Sequence, residues 1–319
     1  MRYYRSIYLT LIILILSNNV FVRAQTPETA LNYYNRGVEK SKRGDQDGAI
    51  EDFTRAIEIS SRLISKKHNL SQLLQNTNRF NDSPESDSIT VIDPFTARAY
   101  TNRGAVRYQK GDVDAAIDDF NRAIEINPGL AGAYVNRGTG RRLKGDLQGA
   151  LTDFNRSLAI DRRLIEAYNN RGTLRQDLGD IDGALADLNQ AIALSPRLAE
   201  AYYHRGYVQI DRKDFQQAIL DFDKAIQLKP SMAWAYQGRG TARMDVVDLD
   251  GAIADFSRAL ELNPNLYAAY TNRGLALLLQ GKDLEAQKDF EKVLSLAPSM
   301  KSDLDHRIQL AKQARRAPR

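Results

Sequence analysis

Small and apolar residues recur along this chain at helical spacing, and the whole pattern restarts every 34 residues. In residues 97–130, Tyr100, Gly104 and Tyr108 step along one face of a helix, with Ala105 beside them. Gly111 supplies a left-handed stop, and Asp112 is placed to cap a second helix. Ala116, Ile117, Phe120, Ala123, Ile124 and Ile126 give that helix its apolar face, and Pro128 ends it. The unit therefore reads as an antiparallel helix pair with a very short connection. Its signature is Asn102-Arg103-Gly104, which returns as Asn136-Arg137-Gly138, Asn170-Arg171-Gly172 and Asn272-Arg273-Gly274. The signature relaxes to His204-Arg205-Gly206 and Gly238-Arg239-Gly240, and an early copy stands at Asn35-Arg36-Gly37. Self-similarity at this period is the mark of a solenoid. The expectation is an all-α, right-handed superhelical solenoid of seven antiparallel helix pairs plus a C-terminal capping helix.

Several columns are stricter than helix propensity requires. A tyrosine stands four residues before each key glycine: Tyr33, Tyr100, Tyr134, Tyr168, Tyr202, Tyr236 and Tyr270. Ala116-type and Phe120-type residues follow each glycine at fixed distances. Glycine and alanine predict a close helix crossing, with the tyrosine and Phe120-type side chains filling the space around it. An arginine precedes every key glycine and an aspartate follows it fifteen residues later. The columns match Arg103 with Asp119, Arg137 with Asp153, Arg171 with Asp187 and Arg205 with Asp221, and likewise Arg36 with Asp52, Arg239 with Asp255 and Arg273 with Asp289. Matched columns predict a bidentate pair within each helix pair; independent solvated positions are the alternative.

Tyr-x-Asn-Arg-Gly, Gly-Asp, Ala-Ile, Asp-Phe, Ala-Ile and Pro, recurring at fixed places over residues 30–300, resemble the tetratricopeptide repeat family. Many members of that family carry an apolar residue where these arginines stand. Departures are local: Lys213 and Val247 replace the turn glycine, Arg162 the terminal proline, and Lys282 the capping aspartate. The resemblance implies a non-catalytic scaffold whose first helices line a concave groove for a partner protein or peptide.

The units divide the chain as follows. Residues 1–24 form a signal peptide, with a basic start at Met1-Arg-Tyr-Tyr-Arg5, an apolar run from Ile7 to Leu16, and a cleavage signal ending at Ala24. Residues 25–96 form the first repeat, interrupted by a polar insertion at about 60–91, whose Ser60–Leu74 part prolongs the second helix. Six repeats follow (97–130, 131–164, 165–198, 199–232, 233–266 and 267–300), then a capping helix and basic tail at 301–319, with Leu304, Ile308 and Ala311 on one face and Arg315–Arg319 beyond the ordered part. The expected location is exported, periplasmic or extracellular. The alternative is an uncleaved segment at 7–22 that anchors an envelope-complex assembly factor.

Net charge of +5 adds little, because acids and bases are interspersed rather than gathered into a nucleic-acid stripe. With no cysteine there is no disulfide, thiolate nucleophile or cysteine metal site. His68, His204 and His306 are scattered, and Asp45-x-Asp47-Gly48 lacks the later ligands of a calcium loop. No enzyme activity, metal or cofactor is expected. Recognition remains. Asn35, Asn102, Asn136, Asn170 and Asn272 would point into the groove, where an amide can donate to and accept from a peptide backbone. The column is similar to the asparagine ladder in the helical repeats of O-GlcNAc transferase; support between neighbouring helices is the alternative. The column breaks at His204 and Gly238, where Tyr203, Tyr207 and Trp234 gather. With room left by Gly238, with Met244 a turn or so beyond, and with Asp177, Asp211 and Asp245 as an acidic rim, these predict a binding pocket. Ordinary packing between repeats is the other reading.

Overall fold

The computed structural model describes residues 29–76 and 94–316, and among them the only regular structure is helix. Seven pairs follow in order: α1 (29–42) with α2 (Gln46–Asn76), α3 (Pro94–Gln109) with α4 (Val113–Ile126), α5 (Ala131–Leu143) with α6 (Leu147–Ile160), α7 (Ile165–Asp177) with α8 (Ile181–Leu194), α9 (Ala199–Asp211) with α10 (Phe215–Leu228), α11 (Ala233–Asp245) with α12 (Leu249–Leu262), and α13 (Tyr267–Leu279) with α14 (Asp283–Leu296). A short 3-10 turn, Pro298–Met300, leads into α15 (Lys301–Arg316). The expected signal segment, the polar part of the insertion at 77–93 and the last three residues of the tail lie outside the described residues.

Two compact units divide the chain, Met1–Arg162 and Arg163–Arg319. Within each, a second helix packs on its own first helix and on the first helix that follows, as α4 does on α3 and α5, and α10 on α9 and α11. The crossing is set by glycine against phenylalanine. A Cβ added to Gly104 would lie 2.7 Å from the Phe120 ring, and one on Gly172 2.8 Å from Leu188. Phe53, Phe120, Phe154, Phe222 and Phe256 are fully buried by this arrangement. The tyrosine column does more than fill space. Each ring lies beneath the guanidinium one turn along the same helix, at 4.7 Å for Tyr33 and Arg36 and 5.7 Å for Tyr168 and Arg171. Residues three apart share a helix face, so each ring adds a cation–π stack to its packing, in which Tyr134 is buried and Tyr33, Tyr100, Tyr236 and Tyr270 lie against buried clusters.

Local signals act as their chemistry dictates. Gly44, Gly111, Gly145, Gly179 and Gly281 take left-handed φ at the turns. Lys213 and Val247 adopt the same conformation, at 63° and 65°, without glycine's freedom. Asp112, Asp146, Asp180 and Asp248 accept from a backbone N–H in the first turn of α4, α6, α8 and α12, and Asp45 does so for α2. These aspartates are helix caps. The insertion lengthens α2 to 31 residues, against 14 for α4. At the other end α15 packs on α13, buries Leu304 and runs through Arg316. Arg315, expected in a loose tail, donates to the Leu278 carbonyl at 3.0 Å and to Asp283 at 2.8 Å.

Candidate functional site

The two charged columns meet in every repeat. Arg103 Nε and Nη2 donate to Asp119 at 3.0 and 2.7 Å; Arg137 reaches Asp153 at 2.9 and 2.6 Å. Arg171 reaches Asp187 at 2.8 and 2.6 Å, and Arg205 reaches Asp221 at 2.7 and 2.6 Å. Arg36–Asp52, Arg239–Asp255 and Arg273–Asp289 repeat the bidentate geometry. All seven aspartates are buried, so each depends on its partners to offset lost hydration. Hydrogen bonding to Asp221 raises the Arg205 pKa, and that to Asp289 raises Arg273. The Arg36 guanidinium, helped by Lys40, holds the Asp52 carboxyl below its usual range against the opposing effect of burial.

Two further columns complete this clamp, and sequence reasoning missed both. One turn after the key arginine, Arg107, Arg141, Arg175 and Arg243 bring a second guanidinium to the same carboxylate at 2.7–2.9 Å. Gln209 and Leu277 occupy that place beside Asp221 and Asp289. The key arginine's remaining nitrogen, Nη1, turns to the preceding repeat. Arg103 donates to Thr54, Arg137 to Asn121, Arg205 to Asn189, Arg239 to Asp223 and Arg273 to Ser257. Each acceptor lies two residues after an aspartate of the column, a signal legible at the same 34-residue period. Arg36, with no preceding helix among the described residues, has a side chain 57% exposed, against 12% for Arg103.

This clamp is internal; the residues expected to recognise a partner lie instead where successive first helices meet. Asn35 is exposed on α1, and Asn136 and Asn170 are half-buried on α5 and α7. Asn102 donates to the Tyr34 hydroxyl at 3.1 Å, linking α3 to α1. Asn272 donates to Thr241 at 3.3 Å and accepts from Arg307 at 2.9 Å. Both halves of that amide are thus engaged, and Asn272 acts as a support between α11, α13 and α15, the alternative reading of this column.

The aromatic group is corrected. Tyr203 and Tyr207 pack edge to face at 5.1 Å, and Tyr207 stands on the Phe222 ring at 5.3 Å. The room expected beside Gly238 belongs to Phe222, whose ring would lie 2.5 Å from a Cβ added there. Burial raises the pKa of both tyrosines, most for Tyr207. Trp234 is 48% exposed and, among the described residues, its ring stacks on neither tyrosine. Met244 packs into the cores of the last two repeats. The site read as a pocket is a plug.

A hollow does open on the same face in the first unit. It holds about 190 Å³ between α1 and α3, with Phe53, Val38, Ala105 and Val106 as apolar walls and Asn102, Gln109, Ser41 and Lys42 around them. A larger hollow of about 390 Å³ beside Tyr33 is lined by Arg36, Asp52, Arg55 and Glu58, whose charges already pair with one another. Among the described residues no group of three His, Asp or Glu side chains could hold a metal ion, and no helix is long and apolar enough to cross a membrane. His204 packs against Tyr203 at 4.9 Å.

Family models described as tetratricopeptide repeat match residues 97–130, 169–233, 30–62 and 267–300, and one described as TPR repeat matches 248–281. Together they span more than half of the chain. Among solved structures, a tetratricopeptide repeat protein from Parabacteroides merdae is 18% identical, with 89% of this chain and 99% of that one covered at a TM-score of 0.60. PilF of Pseudomonas aeruginosa is 19% identical, with 68% and 95% covered at 0.58. A chain of the APC/C hetero-tetramer Cut9–Hcn1 is 19% identical, with 87% and 58% covered at 0.62. At these identities the likeness is one of fold. No curated protein matches the chain.

Proposed function

The chain belongs to the tetratricopeptide repeat family, and we propose that it is a non-catalytic scaffold that holds an extended partner segment along its first helices, anchored in the α1–α3 hollow. The observation that carries this reading is the hollow itself. Phe53, Val38 and Val106 give it an apolar interior of side-chain size, and Asn102 stands at its edge with its amide nitrogen held by Tyr34. An apolar side chain of the partner enters, and the Asn102 oxygen accepts from the partner's backbone N–H. Burying one such side chain supplies roughly 1.5–3 kcal/mol, enough to fix the register of a segment held elsewhere by weaker contacts.

A peptide array incubated with the full chain tests this. Ala105→Leu fills the hollow and should abolish capture of peptides with a large apolar residue, while Tyr207→Ala, on other helices, leaves that capture unchanged. Equal capture by wild type and Ala105→Leu would sink the anchor. The N-terminal pattern supports export before the scaffold acts. N-terminal sequencing of the mature protein should begin at Gln25; a start at Met1 would favour the anchored reading instead.

A further inference from the structure

We propose that the hollow between α14 and α15 is a docking site for an acidic segment of a partner protein. In the second unit each second helix lies against the first helix that follows, as α8 does on α9, α10 on α11 and α12 on α13. α15 holds that following place for α14. Its backbone comes close to α13 and the 3-10 turn but not to α14, which side chains such as Ile308 still reach. The residues account for the gap. Earlier second helices place an apolar pair where the next first helix arrives, Val113 and Ile117 on α4 or Leu249 and Ile253 on α12. The approach there is close: a Cβ added to Gly140 of α5 would lie 3.1 Å from Ile117. On α14 the same two positions are Asp283 and Gln287. The register of Gly140 is fully buried at Val208, Ala242 and Ala276, but on α15 it is Leu310, which is 50% exposed. Covering two polar side chains with an apolar helix face is unfavourable, so α15 leans on α13 and leaves this flank of α14 open.

The space left is a hollow of about 270 Å³. Ile308 and Phe290 give it an apolar lining, and Lys312, Arg315 and Arg316 a basic one. Asp283 is the carboxylate of the lining, and it is already bound by Arg315 at 2.8 Å. Lys312 and Arg316 have no hydrogen-bond or ion-pair partner among the described residues, and both are exposed. They stand four residues apart on one face of α15, where like charges repel. With Arg315 and Asp283 neutralising each other, these two cations set the sign of the hollow. A glutamate side chain complements it, with its methylenes on Ile308 and Phe290 and its carboxylate between Lys312 and Arg316. A concave site with an apolar interior favours a peptide side chain over a flat anionic membrane. These residues are distinct from the α1–α3 hollow, so either surface can fail without the other.

Fluorescence anisotropy with the full chain tests this, using a labelled leucine–glutamate peptide, its leucine–lysine counterpart, and phosphatidylserine vesicles as probes. The leucine–glutamate peptide should bind the wild type, more weakly as salt is raised, and the leucine–lysine peptide should not. The double variant Lys312→Gln, Arg316→Gln should bind the acidic peptide roughly fivefold or more weakly and flatten the salt dependence. Gln287→Trp keeps every charge but fills the hollow, and should weaken binding as well. Lys288→Gln with Lys292→Gln removes the same charge from exposed positions of α14 outside the hollow, and should leave affinity near that of the wild type. No binding of the acidic peptide, equal binding of the two peptides, an equal loss in the α14 lysine pair, wild-type affinity in Gln287→Trp, or binding to the vesicles alone would overturn the proposal.

Discussion

The α1–α3 and α9–α11 gaps begin from the same parts and end differently. Each has a phenylalanine at its floor, Phe53 or Phe222, and a tyrosine at the same register beside it, Tyr34 or Tyr203. Among the positions at which they differ, two bear on the ring most directly. One turn after the tyrosine stands Val38 in the first gap and Tyr207 in the second; on the facing helix stands Asn102 or Gly238. Gly238 lets the Phe222 ring come forward, and Tyr207 covers it. Val38 is too short to do so, and a hollow remains over Phe53. Aromatic enrichment is therefore no guide to an open site in this array. An apolar floor with short neighbours opens one, and a glycine facing an aromatic pair closes one.

The comparison breaks most visibly at Tyr207. Tyr207→Ala should uncover Phe222 and cost about 3 kcal/mol, read from urea unfolding; a loss under about 1 kcal/mol would mean that the ring covers little. Gly238→Asn imposes the first gap's residue on the second. Its Cβ meets the Phe222 ring at 2.5 Å, so a loss of about 2 kcal/mol is expected, and a neutral result would deny the close approach. Asp52, next to Phe53, tests the floor of the open gap by titration. Its folded pKa is lowered, so its stabilisation is full above the unfolded value near ~4 and is lost as pH falls through the folded one. The difference in melting temperature between wild type and Asp52→Asn should narrow as pH drops from about 6 to about 2; a constant difference would show that the charge contributes nothing. Ala105→Leu has the smallest effect on the fold, a gain of about 0.5 kcal/mol from partly filling the hollow. A loss of 1 kcal/mol or more would mean that Asn102 and Phe53 leave no room.

Much of this was legible in the sequence because the period repeats every constraint. One Arg–Asp coincidence says nothing, whereas seven matched positions point to pairing, and the pairs are bidentate in all seven repeats. The tyrosine column was half read: its rings do pack against the core, and each also stacks on the arginine three residues on, which the spacing allowed as well. The acceptors Thr54, Asn121, Asn189, Asp223 and Ser257 escaped notice because the column mixes four residue types that share only a side-chain oxygen. The Tyr203–Tyr207 pair was misread for a three-dimensional reason. Whether two aromatics line a space or occupy it depends on how far Phe222 advances, and a glycine on another helix, Gly238, decides that.

A molecule assembled from near-identical parts risks copying its own interface from one molecule to the next, because the last unit's exposed face fits another molecule's first. Here α15 packs on α13 and covers the Phe290 core. Counted in the 34-residue register it is an eighth first helix, with Arg307 in the arginine's place, but Ile308 stands where the array places glycine. Ile308 instead packs into the Phe290 core. The apolar Ile253 of α12 has Gln287 as its counterpart on α14, and Leu249 has Asp283, which is bound to Arg315. A further second helix would need a slot for its phenylalanine and would meet a branched side chain and an ion pair. The Phe290 core is thus closed by a branched side chain and an ion pair where the array elsewhere keeps a glycine slot for a phenylalanine.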